Sequence, residues 1–149
     1  MTDTDRFAEE IRETFYSYGF PQDFLDAYDQ LECLAHHSDR ETFLVRNRET
    51  GKLCVAKCYL KPDYAFGDTQ DILSRLDHPG VPHYEGRFKS DAMICIVRDY
   101  IEGTPLDGYT DEISLSYSEV TDICIRLGEI LSYLHGQQPP VIHRDIKPE

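Results

Sequence analysis

The sequence predicts an α+β fold in which a small antiparallel β lobe precedes the first helices of a helical lobe, and two patterns carry that prediction. Between Tyr28 and Asp99 apolar residues recur in short strand-like runs separated by turns. From Tyr117 to Leu134 they recur at helical spacing instead.

The elements follow in order. Phe7, Ile11, Phe15 and Tyr18 lie three or four residues apart, predicting an amphipathic helix over 4–18 that stops before Gly19 and Pro21. It belongs to an extension, residues 1–27, expected to dock on its own chain. Strands are predicted over 28–35, 42–47 and 53–59, with Arg48-Glu49-Thr50-Gly51-Lys52 as the turn between the last two and Gly51 free to take positive φ. A short helix over 67–76 and strands over 83–88 and 92–99 come next. Val120, Ile123, Cys124, Leu127, Ile130, Leu131 and Leu134 then form the apolar stripe of the long helix. Ser116 and Glu119 have capping-box spacing at its start. At its end His135 suits the negative helix terminus and Gly136 suits a left-handed cap. Pro139-Pro140 forces an extended path onward.

Composition narrows the function classes. A chain of 149 residues with 40% hydrophobic content can fill a core, while its net charge of -13 opposes nucleic acid and anionic membranes as partners. The acidic residues crowded near the start read as a solvated face. Cys33, Cys54, Cys58, Cys95 and Cys124 sit in apolar runs without C-x-x-C spacing, so they read as small buried hydrophobes in a reducing compartment. Cys54 and Cys58, four strand residues apart, are roughly 13 Å distant and cannot bridge. No apolar run reaches membrane-span length and the acidic start lacks a signal-peptide n-region, giving a cytoplasmic expectation.

The chemistry is concentrated at the end of the chain, where Val141-Ile142-His143-Arg144-Asp145-Ile146-Lys147-Pro148-Glu149 resembles the catalytic loop of the protein kinases, H-R-D-L-x-x-x-N. Leu53-Cys54-Val55-Ala56-Lys57 resembles the V-A-I-K strand of the same family. A Lys two residues after the Asp is the Ser/Thr-type arrangement, and Lys147 occupies that place. The resemblance, to the bacterial branch of the Ser/Thr protein kinases, runs from about Tyr28 to Glu149. It implies a small lobe over 28–98, a hinge over 99–105 and the start of the large lobe over 106–149. The family's Asn would be the next residue, so the resemblance implies an amino-terminal portion, inactive alone, of an ATP- and Mg2+-dependent enzyme acting on an unidentified protein substrate.

Residue by residue, the resemblance makes Asp145 the base for the substrate hydroxyl and Lys147 the cation that neutralises the transferred phosphate. Lys57 would contact nucleotide phosphates, and Leu34 and Val55 would line the nucleotide site. The carbonyl of Asp99 and the amide of Ile101 would hold adenine, with Arg98 at the back of the pocket. Arg144 would pair with a phosphorylated activation loop, and His143 would be a packing residue. His78, in Asp77-His78-Pro79-Gly80, matches a structural turn. No metal site is expected, because His36 and His37 have no further Cys, His or Asp at ligand spacing.

Two departures from the family pattern stand out. Where kinases carry G-x-G-x-x-G-x-V, this chain has Ala35-His36-His37-Ser38-Asp39-Arg40-Glu41-Thr42, without a glycine and with Asp39 and Glu41 adding negative charge where phosphates would lie. Arg40 is the compensating cation. The helix Glu that pairs with the strand Lys is also missing, and Asp68 is the substitute, one position from Thr69. These departures leave open a pseudokinase scaffold and a kinase-like small-molecule phosphotransferase, although Arg144 and Lys147 are not the latter's pattern.

Overall fold

The computed structural model describes residues 19–60 and 72–148, which divide between two compact units. The helix expected over 4–18 lies outside the described residues, as does the first half of that expected over 67–76, where only Ile72 and Leu73 are seen in helical conformation. One unit holds the chain to Arg75 together with His83–Tyr100; the other holds Leu76–Pro82 and the chain from Ile101.

The first unit is a sheet with one packed face. A short helix α1 (Gln22–Ala27) leads into β1 (Tyr28–His36), β2 (Arg40–Asn47), β3 (Leu53–Leu60), β4 (Tyr84–Lys89) and β5 (Met93–Asp99). All neighbouring strands are antiparallel, in the order β1-β2-β3-β5-β4. Helix α1 was not foreseen: six residues are too few to show a helical period, and its start is marked only by Pro21 and Asp23.

Side chains alternate across a strand, so the register assigns each residue to a face. Phe43 and Val45 of β2, Cys54, Ala56 and Cys58 of β3, and Met93, Cys95 and Val97 of β5 form the core with Tyr28 and Phe24. Phe24 is fully buried; its ring stacks on Tyr28 at 5.6 Å and meets Phe88 edge-on at 5.7 Å. Phe20 reaches Phe43 at 5.8 Å, so α1 and the residues before it lie across this face. Cys58 stands opposite Cys95 in the β3–β5 pairing, and burial first, then its neighbour Cys95, pushes the Cys58 thiol upward. Three of the five cysteines are therefore core residues as expected, whereas Cys33 is half-buried and Cys124 is exposed.

At the turn from β2 to β3, Asn47 Oδ1 accepts from the amides of Glu49 and Thr50, and Gly51 takes φ 72°. Lys52, next in line, places its Nζ 2.6 Å from both Glu85 and Asp99. Its pKa is raised, chiefly by Asp99 and then Glu85, while that of Asp99 is lowered: burial, the largest single influence, would raise it, but the Lys52 ammonium together with the Glu85 hydrogen bond and the His83 charge outweighs burial.

In the second unit α2 (Leu106–Glu112) precedes α3 (Tyr117–His135). The capping box forms as read: Ser116 Oγ accepts from the Glu119 amide at 3.3 Å and the Glu119 carboxylate accepts from the Ser116 amide at 2.8 Å. Gly136 does not take the expected left-handed form; its φ of -75° and ψ of -8° continue the right-handed turn, and its amide bonds the Ser132 carbonyl at 3.0 Å. Of the apolar stripe on α3, Leu134 is the residue buried outright, and Val120 remains 44% exposed.

The turn at 77–80 seats on α3. The Asp77 amide donates to the Tyr133 hydroxyl at 2.7 Å, the His78 ring lies 4.8 Å from the Tyr133 ring, and the Gly80 amide donates to His78 Nδ1 at 3.0 Å. A Cβ on Gly80 would come within 2.6 Å of both Cδ1 and Cγ1 of Ile130.

Two outcomes are expected. Gly80→Ala should lower stability by about 1–3 kcal/mol through overpacking, measured by denaturant unfolding, and the penalty should shrink in an Ile130→Ala background that removes the obstructing atoms. Lys52→Met should cost about 0.5–1 kcal/mol at neutral pH, since both side chains are partly solvated. The depressed Asp99 pKa gives stability that is complete above the unfolded carboxylate value near ~4 and is lost as pH falls through the folded value. The difference between parent and variant should therefore narrow toward about pH 2, and a constant difference across that range would contradict the assignment.

Candidate functional site

Lys57 projects from the middle of β3, the central strand of the five, which is hydrogen-bonded to β2 on one side and β5 on the other. Its register partners are Thr42 and Ile96, and alternation puts it with Val55 on the face opposite Cys54, Ala56 and Cys58. Val55 is buried and lies between Leu44 and Arg98.

The register also gathers cations on that face. Arg40 pairs with Tyr59 and Arg98 with Val55, so each is two positions along the ladder from Lys57's own partner and a diagonal neighbour of Lys57 on the same face. Diagonal Cβ atoms in a sheet are roughly 7 Å apart, within reach of long side chains. Arg40 and Arg98 both act on the Tyr59 hydroxyl, whose pKa burial raises and these two cations pull back. Burial in turn lowers the Arg98 pKa. Arg40, Lys57 and Arg98 thus place three cationic side chains on one face of the sheet.

The β1–β2 hairpin closes through His37, Ser38 and Asp39, with the His37 amide bonded to the Arg40 carbonyl at 2.9 Å. None of these residues has positive φ. The expected charge conflict is halved by the strand phase. Glu41 pairs with Cys58 and so lies on the core face, fully buried, with its Oε1 2.9 Å from His36 Nδ1. Arg40 lies on the face of Lys57. Leu34 falls at a β-bulge between Cys33 and Ala35 and is 44% exposed.

Asp99 ends β5 with its amide bonded to the His83 carbonyl at 2.9 Å and its carboxylate engaged by Lys52. Ile101, in the segment that follows, is 63% exposed. Asp68 lies outside the described residues.

In the second unit residues 140–148 have no regular secondary structure, but both ends of this stretch are tied. The Val141 amide bonds the Leu134 carbonyl at 2.9 Å, and the Pro148 carbonyl accepts from the amides of Leu106 and Asp107 at the start of α2. Between the ties Arg144 takes φ 64°, the one positive φ at a non-glycine among the described residues. A left-handed non-glycine residue costs of order 1–3 kcal/mol and persists where its surroundings hold it, as at functional loops. The Asp145 amide donates to His143 Nδ1 at 3.3 Å, and the Asp145 side chain is exposed. His143 is exposed as well, so the packing role expected for it is not seen among the described residues.

Comparison with known proteins agrees with this geometry. The chain is 27% identical to an Aurora kinase of Yarrowia lipolytica over 139 residues, covering 88% of this chain and 37% of that protein. It is 29% identical over 132 residues to serine/threonine-protein kinase 10 of Rattus norvegicus, covering 83% of this chain and 13% of the relative. A match of 37% identity over 79 residues joins it to serine/threonine-protein kinase tousled-like 2 of Mus musculus, 52% of this chain and 11% of that one. The chain thus spans little more than a third, or less, of these relatives. They are eukaryotic, and the bacterial affiliation expected from the sequence finds no support in them. The fold matches a crystal structure of Rad53 1-466 in complex with AMP-PNP with a TM-score of 0.72 at 20% identity, covering 83% of this chain and 34% of that one. The profile described as "Protein kinase domain" matches residues 39–149, most of the chain, and the chain therefore belongs to the protein kinase family.

Proposed function

We propose that this chain carries the nucleotide-binding strand and catalytic loop of a Ser/Thr protein kinase that transfers the γ-phosphoryl group of ATP to a protein hydroxyl. The observation that carries this reading is the cation-bearing face of the sheet, with Lys57 central and Arg40 and Arg98 diagonal to it. Lys57, Val55 and the Asp99 carbonyl suit a nucleotide; the β1–β2 turn, without glycine, offers few amides to phosphate. Leu34 and the Ile101 amide complete the proposed nucleotide contacts, with Asp68 as the proposed partner of Lys57. ATP supplies the transferable group when bound, and Mg2+ accompanies it in this reading. Asp145 orients the substrate hydroxyl and takes its proton, and Lys147 places a cation beside the group in transit. The Arg144 conformation fixes the direction in which Asp145 leaves the chain.

A second reading, a nucleotide-binding scaffold without transfer, is favoured by one feature, the short turn at 37–39 with its acidic Asp39. A radiolabelled ATP assay on a form spanning a complete kinase domain separates the two. Asp145→Asn should lower phosphorylation by about 10²-fold or more while leaving Mg-ATP affinity within about threefold. Lys57→Met should weaken both. Phosphorylation equal in parent and Asp145→Asn would overturn the catalytic assignment, and nucleotide binding without transfer by the parent would establish the scaffold.

A further inference from the structure

The cluster formed by Cys33, His36 and Glu41 lies on the face of the sheet opposite Lys57 and takes no part in the reading above. Cys33 pairs with Phe43 and Glu41 with Cys58, so both belong to the core side. The bulge between Cys33 and Ala35 shifts the phase of β1 by one residue, which brings His36, opposite Glu41, to that same side. Their ligand atoms all lie within 4.8 Å of one another. Cys33 Sγ is 3.6 Å from His36 Nδ1, which is 2.9 Å from Glu41 Oε1.

We propose that Cys33, His36 and Glu41 form a zinc-binding site that clamps the β1–β2 hairpin. A thiolate, an imidazole and a carboxylate together are a donor set for a borderline-soft divalent ion, with Zn2+ taking all three. With Zn–S near 2.3 Å and Zn–N and Zn–O near 2.0–2.2 Å, a tetrahedral ion holds sulfur about 3.5 Å from nitrogen and nitrogen about 3.3 Å from oxygen. The sulfur–nitrogen separation of 3.6 Å meets that requirement as it stands. The 2.9 Å contact between His36 and Glu41 opens by a few tenths of an ångström once the ion replaces the hydrogen bond. Glu41 is fully buried and the His36 side chain is 23% exposed, so the donors are held from inside and the ion enters from the His36 side, where water completes its coordination. On binding, the Cys33 thiol proton passes to solvent, and the proton shared by His36 Nδ1 and Glu41 leaves for His36 Nε2, or for solvent where Nε2 already carries one, so that neutral His36 donates its Nδ1 lone pair and Glu41 its carboxylate oxygen. No electron is transferred. The ion closes a ring across the turn at 37–39, tying the end of β1 to the start of β2.

The full chain, stripped of metal with a chelator and kept reduced, should bind one equivalent of Zn2+ by titration calorimetry, with an uptake heat that varies with buffer ionisation as protons are released. Substituting Co2+ should give a thiolate-to-metal charge-transfer band. Cys33→Ser, His36→Asn and the isosteric Glu41→Gln should each weaken Zn2+ binding at least tenfold, and Cys33→Ser should abolish the band. Cys124→Ser, which removes the exposed thiol, should change neither. Circular dichroism of the metal-free variants identifies those that retain the parent fold, and Cys33→Ser, altering a half-buried side chain by one atom, serves if Glu41→Gln does not. Equal zinc affinity in parent and Cys33→Ser, or a charge-transfer band lost only in Cys124→Ser, would mean adventitious zinc only and overturn the proposal.

Discussion

Successive residues of β3 face opposite sides of the sheet, and because β3 is bonded to β2 on one side and β5 on the other, its phase sets theirs. Cys54, Ala56 and Cys58 are committed to the apolar core, where a side chain of the wrong volume costs kilocalories. That commitment leaves Val55 and Lys57 to the other face. A slip of one residue would bury an ammonium among Phe24, Phe43 and Val97 and expose two core thiols and an alanine, so hydrophobic packing enforces the position of the lysine.

The same phase distributes charge in a chain that is strongly acidic overall. Glu41 goes to the core side with His36, while Arg40, its immediate neighbour, goes to the side of Lys57. Adjacent residues of opposite charge are thus separated by the thickness of the sheet. Lys52 performs a different task at the turn: it draws Glu85 and Asp99 together and so joins the β2–β3 connection to the ends of β4 and β5.

Much of this was legible in the sequence, because strand period and turn chemistry are local signals. The five strands lie within two residues of their expected limits, the Gly51 turn and the Ser116 capping box form as read, and the two kinase-like strings are in the family match. What was not legible depends on neighbours distant in sequence or on a change of phase. Helices α1 and α2 are too short to show a period. The separation of Glu41 from Lys57 follows from pairing with β3 and is not visible in a list of residues. Cys33 and His36, three apart, should face opposite sides of a regular strand, and only the bulge at Leu34 unites them. Gly136 was read as left-handed from its type alone, but its amide finds an acceptor in Ser132 without leaving the right-handed region.

The glycine-free turn between β1 and β2 has a further consequence for how any polyphosphate would be held. Backbone amides are neutral dipoles that work at contact distance, and dissolved ions hardly compete with them. The grip proposed for Lys57, Arg40 and Arg98 would instead be a charge–charge attraction at a partly solvated surface, reaching over about the Debye length of ~8 Å at physiological salt. Such a site answers to its ionic surroundings: it gathers anions faster in dilute buffer and releases them as salt rises, where a glycine cradle would change little.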